Sequence, residues 1–309
     1  MMTALRLSVL ALALGATACQ VRRSEALSAE DSLELIDRAS RIEQSLTDST
    51  SGANRTTPIG RWILPPSLNE VSGLALTSDG RLLAHGDEFG SISVLDPMRG
   101  VLLKEFRIGA KADFEGITVG DGTIYLIDSD GQIYAFREGD PGQRVRYTLH
   151  DTGLGRECEF EGIAFDPRRR ALLLPCKHVQ KKSLRNNVVI YVWQIDDRAT
   201  PRLSVLAIPL RNAIGKNRWT SFRPTDITVD PRTGHYVLIA AQERGILELA
   251  PNGSVVASMP LPDSDQHAQA EGVAISEDGM LIVSDEAAGR PASITLYRWP
   301  LEPATPTGP

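Results

Sequence analysis

The stretch Glu157–Phe165, ECEFEGIAF, decides the fold because it joins a buried strand to a cluster of negative charge. Its second half alternates like a strand packed in a core. Its first half carries three carboxylates in five residues, Glu157, Glu159 and Glu161. An isolated strand entering a core gives no reason for so much charge. The reason lies in repeats of the same pattern elsewhere in the chain.

The pattern occurs in five ordered units of roughly 45 residues. Each unit starts with an apolar strand that contains Glu-Gly or a related pair of residues, Ser-Gly or Thr-Asp. A turn rich in Gly, Asp or Pro follows, and then further apolar strands. The five starting strands are EVSGLAL from Glu70, DFEGITV from Asp113, EFEGIAF from Glu159, RPTDITV from Arg223 and QAEGVAI from Gln269. Four short antiparallel strands per unit describe one blade of a β-propeller, so five units predict five blades.

The fifth unit lacks a fourth strand of its own. The segment GRWILPP at 60–66 resembles the closing strands of the other units and lies just before the first one. We therefore predict that it pairs with SITLYRW at 293–299, which removes an open sheet edge. The fold class is all-β, a five-bladed β-propeller over residues 59–300, with an N-terminal strand closing the last blade. The extra length of the third unit, at 177–187 and 211–222, is predicted to form face loops, and residues 301–309 a disordered tail.

The first 19 residues are typical of a targeting segment. They carry Arg6, an apolar run too short to span a bilayer comfortably, and small residues up to Cys19. The sequence Ala-Thr-Ala-Cys ending at Cys19 resembles a bacterial lipobox, which predicts lipidation of Cys19; ordinary signal cleavage is the alternative. Gln20, by the same resemblance, favours the outer membrane. We expect an exported lipoprotein on the periplasmic side of the bacterial cell envelope.

Residues 20–58 are predicted to be a tether between the anchor and the propeller. Leu35, Ala39, Ile42 and Leu46 recur at helical spacing and predict a short amphipathic helix. The polar residues 47–57 predict a flexible linker.

The composition and net charge of the chain restrict the classes of molecule that it is expected to bind. The chain has 309 residues, a net charge of −6 and a pI near 5.5. This slight acidity argues against a nucleic-acid surface, and the sequence has no long Lys/Arg block. We expect a monomer that meets the membrane through its lipid and binds an unidentified protein or small molecule.

The charged residues of the repeats are expected to meet at one end of the central channel. In an antiparallel blade, strand one begins where strand two ends, and strand one lines the channel. The candidate metal ligands are therefore Glu115, Glu161 and Glu271, followed by Glu70, Asp113 and Glu159. The other residues expected at this mouth are Asp87, Glu88, Asp128, Lys177, His178, Arg223, Asp226, Glu243, Asp285 and Glu286.

Converging carboxylates need compensation. Two unpaired carboxylates about 4 Å apart repel by roughly 4 kcal/mol at an effective dielectric constant near 20. A bound cation would relieve this repulsion, and hard oxygen donors without a His/Cys set favour calcium. The alternatives are internal salt bridges from Lys111, Lys177 or Arg223, and simple solvation.

Two cysteines remain after the leader. The strands on either side of the turn near Arg168 fold back on each other, which brings Cys158 close to Cys176. In an exported protein this predicts a disulfide at this end of the third blade, with two free thiols as the alternative.

The ordered motifs NEVSGLAL, ADFEGITV, CEFEGIAF, PTDITV and QAEGVAI, with the strand-two endings GDE, IDSD, PCKH, AQER and VSDE, resemble the SdiA-regulated (YjiK-like) family of bacterial propellers. The resemblance covers residues 60–299. It implies an exported five-bladed propeller with calcium in the channel region and a poorly defined role. In the fourth repeat, where the family can carry Ser, this chain has Thr225-Asp226. A more distant likeness is to phytase-like esterases and gluconolactonase-type propellers, which use a Glu of a Glu-Gly-Pro motif as a metal ligand.

Two functions follow from these observations. The first is a calcium-binding scaffold or binding protein of the cell envelope, for which no catalytic residue is named. It is favoured because the sequence has no Gly-x-Ser-x-Gly, no ordered Ser-His-Asp set and no zinc signature. The second is a metal-dependent hydrolase of an ester, lactone or phosphate at the channel mouth, assisted by His178, Lys177 or Arg223.

Overall fold

A computed structural model describes residues 29–47, 56–195 and 203–301. These residues form five antiparallel sheets, so the predicted five-bladed β-propeller is confirmed. The predictions for the leader and Cys19, for the linker at 48–55 and for the tail beyond residue 301 lie outside the described residues.

Each blade contains four strands in order from the channel outwards, and in the third blade the first of these is interrupted. Blade one contains β2 (Val71–Leu76), β3 (Leu82–Gly86), β4 (Phe89–Asp96) and β5 (Val101–Lys111). Blade two contains β6 (Phe114–Gly120), β7 (Thr123–Asp128), β8 (Gln132–Phe136) and β9 (Tyr147–Asp151). Blade three contains β10 (Cys158–Phe160), β11 (Ala164–Asp166), β12 (Ala171–Val179), β13 (Asn187–Gln194) and β14 (Leu203–Pro209).

The last two blades differ in how they are completed. Blade four contains β15 (Asp226–Val229), β16 (Tyr236–Ala240), β17 (Gly245–Leu249) and β18 (Val255–Pro260). Blade five contains β19 (Ala270–Ile275), β20 (Met280–Asp285) and β21 (Ser293–Arg298), and its fourth strand is β1 (Gly60–Ile63). Strand β1 runs antiparallel to β21, with Gly60 opposite Leu296 and Ile63 opposite Ser293. The predicted closure of the ring by the N-terminal strand is therefore confirmed.

The core is divided among the seams between blades. The described residues form five hydrophobic clusters, and each one combines side chains from two neighbouring blades. At the closing seam, for example, Val71 and Leu82 of blade one pack with Ile282 and Ile294 of blade five. Because a blade buries its faces only against its neighbours, the closed ring is what removes these surfaces from water.

The innermost strands approach each other more closely than side chains would allow. A Cβ on Gly116 would lie 2.5 Å from the Cα of Gly162, and a Cβ on Gly73 would lie 3.0 Å from the Cα of Gly116. The repeated glycine of the EG motif therefore lets the backbones of successive blades meet at the channel.

The third blade departs from the sequence prediction. We predicted a continuous strand from Gly162, but Gly162 has a φ of +86°, so the inner strand breaks and resumes at Ala164. We also predicted a loop from Lys177, yet β12 continues to Val179 because β10 pairs with it. In the second predicted loop, Leu210–Ile214 form a short helix, α2.

The predicted helix before the propeller spans Ala29–Thr47 and is labelled α1. Its Ile42 is buried in the cluster at the closing seam. The guanidinium of Arg38 lies 4.9 Å from the ring centre of Trp62, a residue of β1. This part of the predicted tether is therefore docked on the closing strand. Within the described residues, no helix combines the length and apolar character needed to span a membrane.

Candidate functional site

The glutamates of the EG motifs are placed by β-bulges. In blade two, Phe114 pairs with Asp128 and Gly116 with Ile127, which leaves Glu115 as the extra residue on its strand. Glu271 is the extra residue in blade five in the same way. A bulged residue leaves the regular alternation of the strand, and the bulge re-aims its side chain.

In blade three the bulge lies on the opposite strand. Glu159 pairs with His178 and Phe160 with Cys176, so the extra residue is Lys177 of β12. The Lys177 ammonium donates a hydrogen bond to a carboxylate oxygen of Glu161. Glu161 follows β10 and is 5% exposed, whereas the Lys177 side chain is 29% exposed. The lysine therefore reaches a buried carboxylate from the more open side.

Glu115, Glu161 and Glu271, the three mouth glutamates, come from three blades and act on one another. Burial raises the pKa of Glu115 to about 9, and the charge of Glu161 adds to this increase. Burial raises the pKa of Glu271 to about 8, again with a contribution from Glu161. The pKa of Glu161 rises only to about 6, because the ammonium of Lys177 opposes the effect of burial. The structure thus brings together the three best candidates, with Lys177 among them.

Asp226 begins the inner strand of blade four and contacts the neighbouring blades. It is completely buried and stands in blade four at the position where each of the other four blades has the repeated glycine. Its Oδ2 accepts a hydrogen bond from the backbone N–H of Val273 in blade five, at 2.8 Å. The N–H groups of Ile227 and of Leu74 in blade one also lower its pKa, but burial dominates and raises it well above the ordinary value.

Asp226 is not fully satisfied. Within the described part of the chain, its Oδ1 has no hydrogen-bond partner. A Cβ on Gly162 of blade three would lie 2.7 Å from this oxygen. From blade four, the carboxylate of Asp226 thus approaches blades one, three and five at the level of the repeated glycines. Beyond this level the channel widens into a cavity of about 950 Å³ at its other end, lined by residues such as Ile117, Phe165 and Thr228.

A second acidic group lies over the seam between blades one and five. Asp87, with smaller contributions from Glu88 and Glu286, raises the pKa of the exposed Glu70. Glu286 also acts on Glu271, which connects this group to the three mouth glutamates. The rim beside the mouth therefore carries excess negative charge.

Two further candidates flank the mouth. Asp113 raises the pKa of Glu115 and accepts a hydrogen bond from the Ser129 hydroxyl at 2.9 Å. Glu159 raises the pKa of Glu161, and one of its oxygens lies 3.0 Å from Nδ1 of His178. This contact is an approach at ion-pair distance, because the Nδ1 atom makes no hydrogen bond within the described residues.

Other predicted mouth residues have local partners. Asp128 accepts hydrogen bonds from the Gln132 N–H and the Tyr134 hydroxyl. Asp285 lies 2.7 Å from Nδ1 of the buried His267, although its charge also acts on Glu271.

Blade four has no glutamate at the position of the EG motif. Arg223 donates hydrogen bonds from its side chain to Gln242 and from its backbone to Glu243. Thr225, which stands where blades two and five have Glu115 and Glu271, donates to the carbonyl of Ala270. Lys111, another possible counter-ion, lies over the ring of Phe89. Of the three cations that the sequence offered as counter-ions, Lys177 is the one paired with a mouth glutamate.

The predicted disulfide between Cys158 and Cys176 is present. It joins β10 to β12, with the two Cα atoms 5.5 Å apart. Because Cys176 directly precedes Lys177, the disulfide fixes the backbone from which the lysine side chain reaches the mouth.

The donor chemistry at the mouth fits a hard cation, but the side chains do not surround one. The oxygens of the mouth glutamates and the unpaired Oδ1 of Asp226 are the ligand type that calcium prefers. Among the described residues, however, no three His, Cys, Asp or Glu side chains are arranged to hold a metal ion. Binding calcium between these side chains would require the glutamates to change rotamer.

The sequence placed Asp226 and Lys177 among the mouth residues and offered Lys177 as a counter-ion. It did not predict the approach of Asp226 to the neighbouring blades, for which the replacement of a repeated glycine was the signal. The strand-two ending PCKH puts Lys177 where blades one and five have Asp87 and Glu286. The buried His267, which also lies 2.7 Å from the Tyr297 hydroxyl, had no signal in the repeats.

A family model described as SdiA-regulated matches residues 63–290, more than half of the chain. The search of curated proteins gave no match. Glutaminyl cyclase of Myxococcus xanthus is similar in structure, with a TM-score of 0.56 and 14% identity over 78% of this chain and 94% of that one.

Two further solved structures are similar. A luciferin-regenerating enzyme has a TM-score of 0.50 and 8% identity, covering 79% of this chain and 96% of its own. A gluconolactonase from Xanthomonas campestris has a TM-score of 0.45 and 14% identity, covering 74% and 72%. At these identities the likeness concerns the propeller fold alone.

Proposed function

The chain belongs to the SdiA-regulated family, and from that premise we propose that it is a calcium-binding propeller serving the bacterial cell envelope as a binding or scaffold protein. It is exported and held to the membrane, most simply the outer membrane, by a lipid on Cys19. Its acidic mouth takes up a cation and presents it to a protein or small-molecule ligand.

One observation carries the calcium proposal. Glu115, Glu161 and Glu271 come from three blades, and the pKa of each is raised by burial and by another of the three or a nearby carboxylate. Lys177 supplies one positive charge, so the three carboxylates can be ionised together only if a further cation compensates them. The three mouth glutamates would hold calcium, with Asp113, Glu159 and Glu70 close enough to contribute charge. A bound ion would stiffen the ring by joining blades two, three and five.

Calcium binding is expected by isothermal titration of the purified protein, with a Kd of about 10⁻⁴ to 10⁻³ M, as is typical of extracellular modules. The double substitution of Glu115 and Glu271 by Gln should weaken binding at least tenfold. Glu277→Gln, an exposed change at the other end of the channel, is the matched control and should leave the Kd unchanged. Absence of binding heat together with an unchanged melting temperature at millimolar calcium would refute the proposal.

Membrane attachment has a separate test. Residues 20–28 lie between Cys19 and the docked helix α1, and at ~3.4 Å per residue they can bridge at most about 30 Å. A lipid on Cys19 would therefore keep the propeller close to the bilayer. Cys19→Ala should move the protein from the membrane fraction to the soluble periplasmic fraction and abolish labelling by a palmitate analogue. Membrane retention of this variant would exclude the lipid anchor.

A metal-dependent hydrolase is the second candidate. It is favoured by Glu115, whose pKa of about 9 keeps it protonated at neutral pH, so that it could donate a proton to a leaving group. A bound cation would polarise the oxygen of the substrate. Turnover of p-nitrophenyl esters, lactones or phytate that requires calcium and is lost in Glu115→Gln would establish this candidate. No turnover of any of them, with calcium or chelator, would leave the binding function.

A further inference from the structure

The backbone structure of blade three determines where Lys177 lies. It is the extra residue of a bulge, and the neighbouring Cys176 is fixed to β10 by the disulfide. The corresponding strand endings of blades one and five carry Asp87 and Glu286, so a cation at this place is particular to blade three. The backbone is rigid, whereas the lysine side chain has four rotatable carbon–carbon bonds on a partly exposed stem.

The ammonium of Lys177 interacts electrostatically with all three mouth glutamates. It donates a hydrogen bond to Glu161, and its charge lowers the pKa of both Glu115 and Glu271. These three carboxylates in turn favour the charged form of Lys177 against its burial. No other lysine or arginine of the described residues has a salt bridge to any of the three.

A divalent ion and this ammonium exclude each other. Both need the oxygens of the same glutamates, and two like charges at contact distance in a partly buried site repel strongly. The absence of a ready three-ligand arrangement among the described residues agrees with this, since Glu161 is turned towards Lys177.

We infer that Lys177 is a built-in competitor for the cation site: its ammonium fills the mouth of the cation-free protein and leaves when a divalent cation binds. The inference rests on the proposed calcium site and adds its regulation. Because the ammonium must be displaced, the mouth binds calcium weakly and discriminates against monovalent cations, which cannot compensate three carboxylates better than the lysine does. The released side chain then projects at the rim beside the bound ion.

The test compares calcium affinity in wild type, Lys177→Met and Lys182→Met by isothermal titration at constant ionic strength. Lys182 is an exposed lysine outside the mouth and is the matched control. Lys177→Met should bind calcium at least tenfold more tightly than wild type, whereas Lys182→Met should equal it. An equal or weaker affinity in Lys177→Met, with calcium binding intact in wild type, overturns the inference alone. If neither wild type nor Lys177→Met binds calcium, both the proposed calcium site and this inference are refuted. If Lys177→Met binds calcium and wild type does not, the inference is supported.

A second measurement needs no substitution and so is unaffected by folding defects. An amine-reactive reagent should label Lys177 slowly in chelator and at least several-fold faster in saturating calcium, as followed by mass spectrometry of the digested protein. Lys182 should react at the same rate in both conditions. Equal labelling of Lys177 with and without calcium would contradict displacement.

Discussion

Gly116→Ala is expected to prevent folding of the propeller or to lower its free energy of unfolding by at least about 3 kcal/mol, the upper end of overpacking effects. The added Cβ would lie 2.5 Å from the Cα of Gly162, 2.7 Å from its carbonyl carbon and 2.8 Å from the N of Ile163. All three are backbone atoms, so no side chain can move away to make room. Strand β6 and the segment of blade three at Gly162 and Ile163 would have to separate, and a separation at one seam strains the whole closed ring.

The matched control is Gly142→Ala. Gly142 lies in an exposed turn with a φ of +74°, and a Cβ there would meet nothing within 4 Å. This change should cost roughly 1 kcal/mol through backbone strain alone. Urea unfolding followed by circular dichroism measures both variants. If Gly116→Ala were as stable as Gly142→Ala, the close approach of the inner strands would be incorrect.

In chelator, the melting temperature of the protein is expected to fall by about 5–10 °C between pH 7 and pH 9.5. Glu115 and Glu271 have ordinary pKa values of 4.5 that folding raises to about 9 and about 8. The folded chain thus holds protons that the unfolded chain has already lost. Their stabilising effect is complete below pH 4.5 and is lost as the pH rises through 8 and 9. A change of 1 kcal/mol moves the melting temperature of a domain of this size by about 2–4 °C.

The pH window is chosen to separate these groups from His85. Burial lowers the pKa of His85 to about 4, so its contribution is lost only as the pH falls below about 6.5. Glu115→Gln should flatten the decline above pH 7, whereas Glu277→Gln should keep it. Saturating calcium should also remove the decline, because it binds the ionised carboxylates. A melting temperature that stays constant or rises between pH 7 and pH 9.5 in chelator would show that the mouth glutamates are already ionised and compensated.

Much of the fold could be predicted because its signals are local and repeated. The alternation in DFEGITV and EFEGIAF and the turn that follows each are properties of a few consecutive residues, and they recur in all five blades. The closing strand could be assigned because one unit lacked a strand and GRWILPP had no unit of its own. The disulfide followed from the turn near Arg168, which fixes how two adjacent strands fold back.

The errors fell where strands from different parts of the chain set the local structure. Gly162, where the inner strand breaks, lies against Asp226 of blade four, and the length of β12 depends on pairing with β10. Helix α1 could be predicted from its periodicity, but its docking on Trp62 and the closing seam could not. The amphipathic pattern predicts which face of a helix is buried, but it does not identify the surface on which that face packs.

By itself, the sequence determined five blades, their order, the closing strand and the gathering of acidic residues at one mouth. It did so because hydrophobic alternation and turn residues determine strands and turns from a few neighbouring residues. The same pattern occurs in every unit, so it predicts every blade. Only the tertiary structure decided which residue each bulge extrudes. The register makes Glu115, Glu271 and Lys177 the bulged residues, and the ammonium of Lys177 then contacts Glu161. The reason is that a bulge is fixed by the register between two strands and by the backbone of the next blade, and neither is written in the residues on either side of it.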